Sequence, residues 1–90
     1  MDSITESVQH VVSQLKGNID YTVSRDNDAE ARWVVQVRNR DIPNTLLEFE
    51  VLRIDDEYVS CVLQKVNVGR RVMVRVMNKF IHELTAPKPT

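Results

Sequence analysis

The fold is decided by residues 57–84, EYVSCVLQKVNVGRRVMVRVMNKFIHEL. Residues 58–66 are rich in β-branched and other apolar side chains, which is typical of a β-strand. Gly69 then marks a break, and apolar residues recur beyond it at steps of three and four, which predicts an amphipathic helix over residues 70–84. Residues 71–76 also alternate in the manner of a strand, but helical spacing continues to the end of the segment and favours the helix.

The preceding residues predict one more helix and three more strands. Residues 3–16 place apolar side chains on one helical face, and Gly17 can end that helix. Residues 19–24, 31–38 and 45–54 alternate apolar and polar residues with the period of two that strands show. The predicted order is therefore helix, four strands, helix.

This order predicts a two-layer α+β fold. Strands joined by short connections pair in an antiparallel meander, because parallel pairing needs long crossovers. Each helix has one apolar stripe, so we expect both helices on the same face of the four-stranded sheet. The 90 residues form a single domain, with an ordered core over about residues 3–84 and a flexible tail at 85–90 that contains two prolines. Turns are predicted at residues 25–28 and 55–56.

The fourth predicted strand has apolar residues on both faces. Val59, Cys61 and Leu63 are expected to point toward the core, and Tyr58, Val62 and Val66 are expected on the outer face. Apolar residues on the outer face would form a partner site or would be covered by the tail. Cys61 is the single cysteine, and in an apolar strand it is expected to be a buried hydrophobic residue rather than a reactive thiol.

Composition excludes several classes of protein. A net charge of −1 argues against general nucleic-acid binding, which depends on a basic surface. No apolar run is long enough for a transmembrane helix, and the first residues lack the apolar core of a signal peptide. A single cysteine permits no internal disulfide, which fits a reducing compartment. We therefore expect a cytoplasmic, intracellular protein.

The sequence predicts no catalytic, cofactor or metal site. His10 and His82 are the only histidines, and neither has a partner at the spacing of metal ligands. With only two glycines, the chain has no glycine-rich phosphate loop. Serine, histidine and aspartate are present, but no local signature places them together. We therefore predict that the protein is not an enzyme.

The basic side of the last helix is the feature with functional content. Its cationic residues fall at helical spacing, away from the apolar stripe, with one further arginine at the start of the helix. A helix side of this kind can bind anionic lipid headgroups or an acidic partner surface, or it can face solvent and bind nothing. The predicted partner-binding or lipid-binding residues are Arg70, Arg71, Arg75, Lys79 and His82.

Four features of the chain also occur together in a known family. They are an amphipathic helix at residues 4–15 that leads into a strand with Tyr21, the pair RW at residues 32–33, the strand LEFEV at residues 47–51, and a closing helix that ends in FIHEL at residues 80–84. With these features the chain resembles the kinase-associated-1 domain, the C-terminal regulatory module of the AMP-activated and microtubule-affinity-regulating protein kinases.

The resemblance implies a non-catalytic regulatory role. It implies a sheet with both helices on its concave side, and a kinase domain or a regulatory subunit as the protein partner. It also implies a phospholipid site among Arg70, Arg71, Arg75 and Lys79, although lipid-binding members are strongly basic and this chain is near neutral. The alternative is a small dimeric chaperone or adaptor that resembles type III secretion chaperones, which are mildly acidic and associate through apolar surface.

Overall fold

A computed structural model describes residues 3–25, 31–53 and 59–85. The elements in chain order are α1 (Ser3–Gln14), β1 (Ile19–Arg25), β2 (Arg32–Asn39), β3 (Leu46–Arg53), β4 (Val59–Asn67) and α2 (Arg70–Thr85). This confirms the predicted α+β order, including the helix after Gly69. Thr85 belongs to α2 and not to the predicted tail. Arg25, which was predicted in the turn at residues 25–28, belongs to β1. The rest of that turn, the predicted turn at residues 55–56, Tyr58 and the rest of the tail lie outside the described residues.

The four strands form one antiparallel sheet in the order β1-β2-β3-β4. Val35 lies at the centre, since it pairs with Val23 of β1 and with Phe49 of β3. Residues that face each other across antiparallel strands share one face of the sheet. The alternation of apolar and polar residues in the sequence therefore becomes one apolar face and one mainly polar face, as expected.

Both helices lie on the apolar face and close a single core. Helix α1 contributes Ile4, Val8 and Val11, and α2 contributes four buried residues from Val76 to Leu84. Phe80 of α2 meets Phe49 of β3 with ring centroids 4.9 Å apart and an angle of 50° between the planes. This tilted contact between fully buried rings anchors α2 on the middle of the sheet.

A β-bulge in β4 changes which side chains face the helices. The register skips Gln64, because its neighbours Leu63 and Lys65 pair with consecutive residues of β3. An extra residue of this kind reverses the alternation beyond it. Val66 consequently pairs with the buried Leu47 and lies on the helix side of the sheet. The prediction that Val66 lies on the outer face was wrong.

The outer face of the sheet carries most of the polar strand residues, together with apolar residues such as Val34, Leu52 and Val62, which was predicted there. Arg32 Nε lies 2.6 Å from Glu50 Oε1, and Arg32 Nη2 donates to Glu50 Oε2 at 2.7 Å. Gln36 donates to Glu48 at 2.6 Å on the same face. Half-exposed contacts of this kind add at most about 1 kcal/mol and mainly fix the strand register.

Candidate functional site

Helix α2 concentrates the positive charge of the protein. Its 16 residues include four arginine and lysine side chains and one glutamate, whereas the whole chain has 12 basic and 13 acidic residues. The remainder of the chain therefore holds more acidic than basic residues. A total charge of only −1 thus conceals one cationic element on an otherwise acidic protein.

The structure separates the five predicted binding residues into two groups. All five are exposed. Arg71, Arg75 and His82 follow one another at steps of four and seven, which places them on one side of the helix with Lys79 beside them. Arg70 falls on the opposite flank. We call the side formed by Arg71, Arg75, Lys79 and His82 the cationic side of α2.

A cavity of about 450 Å³ lies between the two helices and one end of the sheet. The end of α1, the first half of α2 and three strands contribute its apolar walls. Their main apolar side chains are Leu15, Ile19, Val37, Leu47, Val72 and Val76. Ile42, in the connection between β2 and β3, is exposed at the mouth.

The cavity exists because α1 is too short to cover this end of the sheet. Gly17 has a φ of +98°, a conformation that glycine adopts without strain, and the chain turns there into β1. Val8 and Phe80, toward the other end of the helix layer, are fully buried. Leu15 is only half-buried, and Val72 across from it is 42 % exposed. The two helices therefore pack closely at one end and leave a gap between them at the other.

Four basic residues line the cavity, and three of them come from the helix layer. Arg75 and Lys79 approach it from α2, and Lys16 approaches it from the end of α1. Arg38 also lines it, but Arg38 pairs in register with Asp20 and so points to the outer face of the sheet. No carboxylate of the described residues is among the lining side chains. The cavity is thus apolar inside and positively charged at its edge.

Sequence reasoning missed Lys16, although a signal was present. Two helices that pack on one sheet face and flank an antiparallel meander run in opposite directions. The end of α1 must then lie beside the start of α2, and a lysine at the end of α1 comes near the cations of α2. The structure accordingly brings Lys16, Arg75 and Lys79 together and leaves Arg70, Arg71 and His82 outside the cavity.

The other reactive side chains form no cluster. Within residues 3–25, 31–53 and 59–85, no three histidine, cysteine or acidic side chains lie close enough to hold a metal ion. His10 is exposed on α1, and its Nε2 lies 3.1 Å from Gln14 Nε2. Burial raises the pKa of the Cys61 thiol, which lowers its thiolate fraction at neutral pH and makes it a poorer nucleophile. Neither described helix is long and apolar enough to cross a membrane.

Comparison with protein-family models, with curated proteins and with solved structures found no match to this chain. The resemblance to kinase-associated-1 domains therefore stays a prediction, and the function must be argued from the surface of the molecule.

Proposed function

We propose that the chain is a non-catalytic binding module that docks a protein partner through the cationic side of α2. The observation that supports this proposal is the concentration of exposed positive charge on one helix of a protein that is otherwise acidic. No ion pair within the described residues neutralises Arg71, Arg75 or Lys79. The complementary surface is acidic, and an anionic phospholipid headgroup would be a second ligand for the same side.

The proposed docking mechanism is electrostatic. Exposed charges steer a partner of opposite sign and fix its orientation, and they raise the association rate more than they slow dissociation. Binding through such a surface weakens with added salt, because charges in water are screened over about 10 Å at 0.1 M ionic strength. The kinase domain or regulatory subunit that the family resemblance implies would then need an acidic patch opposite α2.

Charge reversal on α2 tests this proposal. We expect Arg71→Glu plus Arg75→Glu to lower affinity at least about tenfold, since each change removes an attraction and adds a repulsion. The measurements are capture of partners from the native host and sedimentation with vesicles that contain phosphatidylserine. Arg71→Lys plus Arg75→Lys keeps the charge and should keep binding. Arg40→Glu plus Lys65→Glu makes the same charge change elsewhere and should also keep it.

Two results would contradict the proposal. The first is a charge-reversed protein that retains every partner and lipid of the parent at unchanged affinity. The second is binding of the parent that does not weaken with salt, since the cationic side would then contribute nothing.

A second candidate, a dimeric adaptor, is favoured by a different surface. Leu63 and Val66 lie on the helix side of β4 and are nevertheless exposed, and β4 is an edge strand. Val74 and Ile81 are exposed on the flank of α2 away from the cavity. Apolar exposure beside an open strand edge suits association with a second copy.

The solution mass distinguishes this candidate. A dimeric adaptor should sediment as a dimer at micromolar concentration, and Leu63→Asp should convert it to a monomer. A parent protein that sediments as a monomer rules the dimeric adaptor out and leaves the α2 proposal unaffected.

A further inference from the structure

We propose that the cavity between α1, α2 and the sheet binds a monomeric single-chain amphiphile with an anionic head, of the fatty-acid class. This site goes beyond the docking function proposed above, because its ligand enters the protein instead of covering its surface. Its volume of about 450 Å³ lies in the range of small-molecule sites, roughly 300–1,000 Å³.

The walls select an acyl chain over a peptide. An extended peptide brings backbone N–H and C=O groups that need hydrogen-bond partners when they are buried. Two polar residues of the wall, Asn39 and Thr45, already bond to each other. The backbone N–H of Asn39 donates to Thr45 Oγ1 at 3.0 Å, and the Thr45 hydroxyl oxygen lies 3.1 Å from the backbone carbonyl oxygen of Asn39. A third, Gln14, has its side-chain amide nitrogen 3.1 Å from His10 Nε2. The apolar residues of the wall offer no hydrogen-bonding side chains, and an acyl chain needs none.

The edge of the cavity selects an anionic head. Lys16, Arg75 and Lys79 surround it, and no carboxylate of the described residues lines it. A carboxylate at the mouth would lie near these three cations, while the chain attached to it would reach inward to Val72 and Val76. An uncharged head would lose the charge attraction, and a cationic head would be repelled.

Three probes of equal chain length test the chemistry of the head. Dodecanoate and dodecyltrimethylammonium are titrated into the full chain below their micelle concentrations, and dodecan-1-ol below its solubility limit. Amide shifts are followed by nuclear magnetic resonance. We expect saturable one-to-one binding of dodecanoate, with the largest shifts around the cavity. Dodecanol should bind about tenfold more weakly, and the cationic probe more weakly still. Equal binding of all three probes, or no saturable binding of dodecanoate, would overturn the proposal.

A matched pair of variants tests the place of binding. Val72 and Val74 are 42 % and 43 % exposed on the same helix, but only Val72 lines the cavity. Val72→Trp should fill space that the acyl chain needs and weaken dodecanoate binding at least about tenfold, whereas Val74→Trp should change it less than about twofold. Both positions are exposed, so both variants should keep the helical circular dichroism of the parent. Equal affinity of the two variants would show that the amphiphile binds elsewhere.

Substitution at Lys16, which lines the cavity but does not belong to the cationic side of α2, separates this site from the docking function, whereas Lys79 belongs to both. Lys16→Gln and Lys79→Gln should each weaken dodecanoate about fivefold, the upper range for an exposed ion pair, and leave dodecanol unchanged. Arg71→Glu lies outside the cavity and should impair docking alone, while Val72→Trp should impair amphiphile binding alone. The two proposals therefore fail independently, and a lysine variant that binds dodecanoate as tightly as the parent contradicts the assigned role of the edge.

Discussion

Phe80→Ala is expected to remove about 3–5 kcal/mol from the free energy of unfolding. Phe80 is fully buried, and its ring packs against Phe49 with a centroid distance of 4.9 Å. The truncation loses the burial of the ring, the contact between the two aromatic side chains and the filling of the core between α2 and the sheet. Domains of this size have total stabilities of roughly 5–15 kcal/mol, so a large share of that margin would be lost.

Urea denaturation followed by far-ultraviolet circular dichroism measures this change. The neighbouring Ile81 is 41 % exposed on the same helix, so Ile81→Ala is a control that should cost less than about 1 kcal/mol. Phe80→Leu keeps much of the volume and should fall between the two. Similar losses for Phe80→Ala and Ile81→Ala would contradict the packing of α2 on the sheet.

The fold was predictable because every element except β4 repeats its own period over enough residues. The segment at residues 71–76 was the ambiguous part, since its valines alternate as in a strand. In the structure this segment is helical, and its burial follows the helix. Val76 is buried, and Val74, two residues earlier, is exposed. In a strand both would have faced the same way. The helical spacing that continues to Leu84 was therefore the decisive signal.

The bulge at Gln64 was not predictable from the residues of β4. A bulge is most visible in a sequence when glycine occurs in a strand or when the apolar positions shift by one. In β4, apolar residues occupy both odd and even positions, so neither register is excluded by the pattern alone. The pairing of Val66 with Leu47 is set by β3 across the sheet, which the local sequence of β4 does not contain.

The exposure of each cation on α2 was predictable from the sequence, but which cations lie together around the cavity was not. Helical spacing identified the cations of α2 as exposed, and they are. The cavity depends on where α1 ends relative to the sheet beneath it, and local periodicity says nothing about that distance. Lys16 consequently went unrecognised, and Arg70 was grouped with Arg71 although the helix places them on different sides.

Trp33→Ala is expected to be the second severe substitution, with a loss of about 3–5 kcal/mol. Trp33 is 4 % exposed and pairs with Arg25 of β1 and Val51 of β3, at the end of the sheet opposite the cavity. The guanidinium carbons of Arg25 and Arg53 lie 5.5 and 5.9 Å from the ring centroid. The ring therefore fills the core and also contacts two guanidinium groups. Its removal would leave a cavity beneath them.

Truncation and charge can be separated at this position. Trp33→Phe keeps an aromatic ring, so it should cost much less stability than Trp33→Ala. Arg25→Ala should lower the free energy of unfolding by about 0.5–1 kcal/mol in the parent, and by less in a Trp33→Leu background. Unfolding is followed by circular dichroism and not by tryptophan fluorescence, because the Trp33 substitutions remove the only tryptophan of the chain. Since the ring and the cavity occupy opposite ends of the sheet, Trp33→Phe should leave the dodecanoate titration unchanged. A weakened titration in this folded variant would mean that the two ends of the core are coupled, and that the open end near Leu15 is held in shape by the closed one.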